Sequence, residues 1–152
     1  MSYDSQPDTL EHIATVQRFL GEAIGDLQAR VSGHDRSKLE EPEKSMFDEF
    51  TPKLRDTTYG SEEYESYRAA MGEALQHHYE VNDHHPEHFE NGVAGMDLIQ
   101  VVEMLADWKA ATLRHADGDL GSSIRKNAER FGYGEEFEGL LWRTADRLGW
   151  LT

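Results

Sequence analysis

Apolar positions recur at steps of three and four along most of this chain, the spacing of helices with one buried face. The first stripe is Leu10, Ile13, Val16, Leu20, Ile24, Leu27 and Val31. It predicts a helix capped at Asp8 or Thr9, running to about Val31 and closed by Gly33. A short helix follows His34-Asp35. Pro42 suits the first turn of the next helix, which carries Met46, Phe47 and Phe50. Residues 51–60 read as a loop. Ser61 is placed to cap a long helix through Tyr79, with Tyr64, Tyr67, Met71 and Leu75 on one face. Residues 82–95 are dense in turn formers and read as a loop. A strongly apolar helix is predicted from Met96 to about Leu113, and two shorter ones over roughly 122–131 and 135–148. Prolines fall at 7, 42, 52 and 86, near these boundaries, and runs of β-branched residues are absent. The pattern predicts an all-α, single-domain bundle of about six helices over residues 8–152, with residues 1–7 disordered.

Composition narrows the possibilities. With 152 residues the chain suits one domain, large enough to bury a core without disulfide or metal staples. There is no cysteine, which excludes thiol catalysis and Cys-ligated zinc. No apolar run approaches the length of a membrane span. The polar, acidic start Met1-Ser2-Tyr3-Asp4-Ser5 is unlike a signal peptide, so a cytoplasmic protein is expected. The net charge of −15 argues against binding a nucleic acid polymer, where affinity comes mainly from lysine and arginine on phosphates. A small anion is compatible with such a chain if metal ions supply positive charge.

Histidine carries the chemistry. Of eight histidines, five (His77, His78, His84, His85 and His88) lie between positions 77 and 88. Imidazole is the commonest metal ligand and the acid/base of neutral pH. Four features follow in chain order: His12 beside the first apolar stripe, His34-Asp35 with Lys38 one turn later, the His77-His78 pair before the histidine-rich loop, and Asp107 inside the most apolar helix. Each has a plain structural alternative. His12 fits a half-buried structural histidine, Asp35 a helix cap, the loop histidines a solvated tract, and Asp107 a water-facing carboxylate.

Together, the order His12, His34-Asp35, Lys38, Asp107 resembles the HD-domain superfamily of metal-dependent phosphohydrolases. His77-His78-x-Glu80 looks like the histidine segment that two-metal members add. The wider pattern, His34-Asp35-x-Ser37-Lys38-Leu39, then Asn82-x-His84-His85-Pro86-Glu87-His88, then Asp107-Trp108, also looks like an uncharacterised family of phages and bacteria, which would place the protein in a host cytoplasm. No histidine lies between 35 and 76, where many two-metal members have one. The resemblance implies an HD-like fold and one or two divalent transition metals (Mn, Fe, Zn, Co or Ni) held by His12, His34, Asp35, His77, His78 and Asp107. His84, His85 or His88 could supply the missing ligand from the loop.

The implied activity is hydrolysis of a small phosphate ester, a nucleotide or cyclic nucleotide by resemblance, through a metal-activated hydroxide. Asp35 would bridge metals, Lys38 hold a substrate phosphate or simply pair with Asp35, and His84 or His85 protonate the leaving group. Glu103, one turn before Asp107, either orients a ligand or faces water. Two other classes remain open: a di-iron oxygenase of the same superfamily, and a non-enzymatic helical module with structural or adventitious metal. Phosphate-binding loops, nucleophile elbows and HEXXH are absent, and no basic aromatic stripe suggests nucleic acid. Tyr133, Phe137 and Trp142 suit either core packing or a homodimer face.

Overall fold

The computed structural model describes residues 3–58, 60–114 and 118–151. These form seven α-helices and three 3-10 turns, with no strand among the described residues. The chain divides into two compact units, Met1–His34 and Asp35–Thr152.

The first unit is one helix, α1 (Gln6–Gly33). It starts two residues before the predicted cap, because Pro7 sits in the first turn, where its missing N–H costs nothing. Gln6 and Pro7, expected to be disordered, are therefore helical, while Met1 and Ser2 lie outside the described residues. Gly33 is the last helical residue rather than the cap, and His34 closes the helix by donating its N–H to the Arg30 carbonyl.

The second unit opens with Asp35 in the left-handed region (φ 55°), followed by a 3-10 turn at Arg36–Leu39. Helix α2 (Glu43–Arg55) follows Pro42, as the sequence predicts, but runs five residues into the expected loop, with Pro52 inside its last turns. The predicted long helix is two. Helix α3 (Glu62–Ala70) is capped by Ser61, whose Oγ accepts from the Tyr64 N–H at 3.1 Å. Helix α4 (Gly72–Val81) begins after Met71, where Gly72 takes φ +40°. Periodic apolar spacing continues across the joint, so the break is visible only as a single glycine, a conformation other residues adopt at a cost.

The loop after α4 contains 3-10 turns at Pro86–His88 and Gly92–Gly95. Helix α5 (Leu98–Thr112) starts in a capping box: Asp97 accepts from Ile99 and Gln100, and the Gln100 side chain accepts from the Asp97 N–H. Helices α6 (Leu120–Phe131) and α7 (Glu135–Arg147) complete the unit. Val101, Met104, Leu105, Leu120, Ile124, Leu141 and Ala145 form its buried core, from α5, α6 and α7. Tyr133, Phe137 and Trp142 pack on that core, so core packing accounts for their apolar character. Gly121 is required by this packing: a Cβ there would meet the Trp142 ring at 2.6 Å. No helix among the described residues is long and apolar enough to cross a membrane.

Candidate metal centre

The site is built by two short segments and one helix of the second unit. The left-handed turn at Asp35 joins α1 to the 3-10 turn, and Asp is among the few residues that adopt it readily. Its side chain makes no capping bond. The last turns of α4 present His77 and His78, and the chain then leaves the helix at Asn82 to bring His84 and His85 back beside it. Asn82 fastens this corner, donating from Nδ2 to the His78 carbonyl and to Ser37 Oγ, both at 2.8 Å. Gln100 of α5 anchors the loop by donating to Asp83 at 2.7 Å.

One ligand atom from each of Asp35, His78, His84 and His85 lies within 4.8 Å of the other three. Asp35 Oδ1 stands 3.4 Å from Nε2 of both His78 and His84. Nε2 of His78 and Nε2 of His85 are 2.8 Å apart. Ligands bound about 2.1 Å from one ion in tetrahedral or octahedral geometry stand roughly 3.0–3.4 Å from each other; the two edges at Asp35 match that spacing, and the His78–His85 edge is slightly shorter than it. Three imidazoles and a carboxylate suit Zn, Mn, Fe, Co or Ni.

The protonation states agree. Burial, reinforced by the neighbouring His84 and His78, pushes the His85 imidazole down to about 3. Burial and then the Lys38 ammonium lower that of His78. Both rings are neutral at pH 7, with lone pairs available for coordination.

Two carboxylates set which nitrogen faces the cluster. Glu43, fully buried at the start of α2, accepts from His77 Nδ1 at 2.8 Å and from His78 Nδ1 at 2.9 Å. Ser37 Oγ donates to its Oε2 at 3.1 Å. Glu103 Oε1 lies 3.3 Å from His84 Nδ1. A proton held on Nδ1 leaves Nε2 as the coordinating atom, the arrangement by which carboxylates orient metal-binding histidines.

The expected site residues separate accordingly. Asp35 and His78, both expected as ligands, lie in the four-residue cluster. His84 and His85, expected either as proton donors or as the missing ligand from the loop, also lie in this cluster. His77, expected as a ligand, instead shares Glu43 with its neighbour. His88 is exposed and donates from Nδ1 to the Tyr79 carbonyl at 2.9 Å, finishing α4 rather than joining the cluster. Asp107 on α5 places a carboxylate oxygen within 4.8 Å of one from Asp35. Lys38 Nζ lies 2.5 Å from Asp35 Oδ2, so the expected ion pair is formed. The same ammonium sits 4.8 Å from the centroid of the Phe47 ring. His12 on α1 and His34 at its end belong to the first unit, whereas the four-residue cluster lies wholly in the second. Of the two orienting acids, Glu103 was legible from its spacing to Asp107. Glu43 was not: an acid after a proline at a helix start reads as a dipole partner, and its histidines lie 34 and 35 positions away.

A cavity of about 500 Å³ opens beside the cluster, with Lys38, His85 and Asp107 in its lining. Phe47, Tyr79 and Trp108 supply apolar wall.

The profile of a family described as "Family of unknown function (DUF5662)" matches residues 1–148, and the chain belongs to that family. No curated protein matches it, and no solved structure does.

Proposed function

We propose that this member of the DUF5662 family is a metal-dependent phosphohydrolase acting on a small phosphate ester. The observation that carries the reading is the Asp35/His78/His84/His85 cluster, with His78 and His85 neutral, placed at the wall of a cavity large enough for a nucleotide-sized ligand. A divalent cation held there would supply Lewis acidity and bring the pKa of a water toward about 7.

The chain's own groups have distinct tasks. Glu43 and Glu103 hold His78 and His84 with Nε2 turned to the cation. Asp35 divides its oxygens, Oδ1 toward the imidazoles and Oδ2 toward Lys38. Lys38 lines the cavity and carries the charge that suits a phosphate oxygen. Asp107, also in the lining, is placed to accept a proton from an attacking water. The HD-like likeness in residue order supports the same chemistry.

The test is elemental analysis of tag-free protein followed by hydrolysis assays on phosphate monoesters, nucleotides and cyclic nucleotides in the metal found. The expected result is at least one transition metal per chain, with activity lost on chelation and in Asp35→Asn. Activity that survives chelation, or a wild-type protein that takes up none of Mn, Fe, Zn, Co and Ni, overturns the proposal. Bound iron with oxygen consumption and no phosphate release overturns it in favour of oxygenation.

A further inference from the structure

Helix α1 is a unit by itself, and a lone helix has no core of its own. Helices in water owe most of their stability to burying an apolar face. Yet no residue of α1 is buried, and Leu10, Ile13, Leu20, Ile24 and Val31 are each between 45 and 82 % exposed.

The spacing of this face identifies what fits it. Written as heptads abcdefg with Leu10 at a, the later a positions are Gln17, Ile24 and Val31, and the d positions are Ile13, Leu20 and Leu27. The stripe therefore keeps a period of 3.5 from 10 to 31, that of two helices wound around one another. Leu27 is the one side chain of this seam that is half-buried. β-branched residues at a with leucine at d favour a parallel pair. Ile24 and Val31 with Leu20 and Leu27 supply that combination.

Charge selects a second copy of this chain as the partner. With 30 acidic residues in 152, two copies repel wherever their acids meet. The four carboxylates of α1 avoid the seam and its flanks: Asp8 and Glu22 fall at f, Glu11 at b and Asp26 at c. Arg18, at b, pairs with Glu22 at 2.8 Å on that outer face. The flanking e and g positions hold small or uncharged residues such as Ala14, Val16, Gly21 and Ala23, and Arg30 is the one charge among them. A face built for a basic partner would set acids beside the seam.

Gln17 fixes the direction. In a parallel pair in register, a positions meet, and the two Gln17 amides bond to each other as a buried polar pair that sets register. An antiparallel pair centred on the same seam would set Gln17 against Ile24, a buried amide without a partner. The area is sufficient. Leu10 to Val31 spans about 33 Å of helix. At on the order of 100 Å² per aliphatic side chain, the five exposed seam residues bring roughly 500 Å² per copy before the flanks are added. A stable interface buries about 800 Å² per partner.

We infer that α1 pairs with α1 of a second copy as a parallel, in-register, two-stranded coiled coil over residues 10–31. Sedimentation velocity of the full chain is expected to give twice the 17.4 kDa chain mass. Leu20→Glu/Ile24→Glu changes exposed side chains and should weaken the dimer at least about tenfold. The chain has no cysteine, so single introduced thiols report the geometry even if that variant folds poorly. Gln17→Cys should give a disulfide-linked dimer on mild oxidation, and Glu22→Cys, at f, should not. In an antiparallel pair the thiols of Gln17→Cys would lie about 10 Å apart along the axis, beyond the reach of a disulfide. A wild type that stays monomeric, a dimer unmoved by the double variant, or cross-linking no better at 17 than at 22 each overturns the inference.

Discussion

Glu43 bonds to two consecutive histidines at once, His77 at 2.8 Å and His78 at 2.9 Å, each through Nδ1. Consecutive helix residues point about 100° apart, so one carboxylate reaches both only by lying beneath them at the helix surface. Glu43 does so from the first residue of α2, fully buried. It thereby joins α2 to α4 and turns His78 Nε2 toward Asp35, 3.4 Å away. The same carboxylate thus serves packing and the candidate metal centre.

Glu43→Gln keeps the volume but removes the charge that holds both Nδ1 protons. Metal affinity is expected to fall about 10- to 100-fold, read by competition with a chromophoric chelator. Glu43→Ala leaves the buried His78 and half-buried His77 without an acceptor and is expected to cost about 1–3 kcal/mol of stability as well, read by urea denaturation. Unchanged metal affinity in both variants would show that Glu43 is structural only.

Asp35 combines a ligand position with a left-handed backbone, and two substitutions separate these roles. Asparagine tolerates φ 55°, so Asp35→Asn is expected to fold with a near-native melting temperature and to lose metal. Asp35→Ala loses metal and also bears the left-handed conformation without a favourable side chain, costing roughly 1–2 kcal/mol more. Its ion pair with Lys38 contributes little to either result, because both side chains retain solvent contact (17 % and 26 %) and such pairs are worth about 0–1 kcal/mol. Metal content and thermal melts of the two variants side by side check the separation.

The helical architecture was legible because apolar spacing is a local property. Each of the long helices α1, α2 and α5 announces itself by steps of three and four, and the cap at Ser61 by its hydroxyl before acidic residues. The ends were less legible where two local preferences compete. Pro52 signals a stop, yet α2 continues through it to Arg55, since Phe50 is buried and holds the helix in place. The joint at Met71-Gly72 interrupts a face that stays apolar on both sides, so periodicity alone carried the reading across it. Within the site, residue types were informative and roles were not. His84-His85 and Asp35 stood out as ligand chemistry, but which imidazole points inward depends on Glu43 and Glu103. Those partners come from other helices, and no spacing rule connects them.

The low His85 value gives the metal-free protein a particular acid response. An unfolded histidine titrates near 6.5, whereas in the folded protein His85 resists protonation until about 3. Below pH 6.5 the unfolded chain therefore binds protons that the folded chain does not, and His78, also lowered, acts in the same direction. This contribution to stability is intact above pH 6.5 and is lost progressively as pH falls from there toward 3. Melting temperatures of chelator-treated protein should decline between pH 7 and 5, and His85→Gln should flatten the decline. An identical pH profile in the variant would mean that His85 does not titrate as its burial requires.

Gly72 separates the element that carries His77 and His78 from α3. Its φ of +40° is costly for residues with a Cβ, although no neighbouring atom lies within 4 Å of where that Cβ would be. The penalty in Gly72→Ala is thus backbone strain alone, about 1–2 kcal/mol, which for a chain of this size lowers the melting temperature by roughly 2–8 °C. The alternative is that alanine lets α3 and α4 merge into the single helix that the apolar spacing predicts, turning His78 away from Asp35. The two outcomes differ in metal binding. A destabilised variant with wild-type metal stoichiometry means that the break persists under strain. Retained stability with lost metal means that the break itself, through one glycine, is what places the histidine pair at the site.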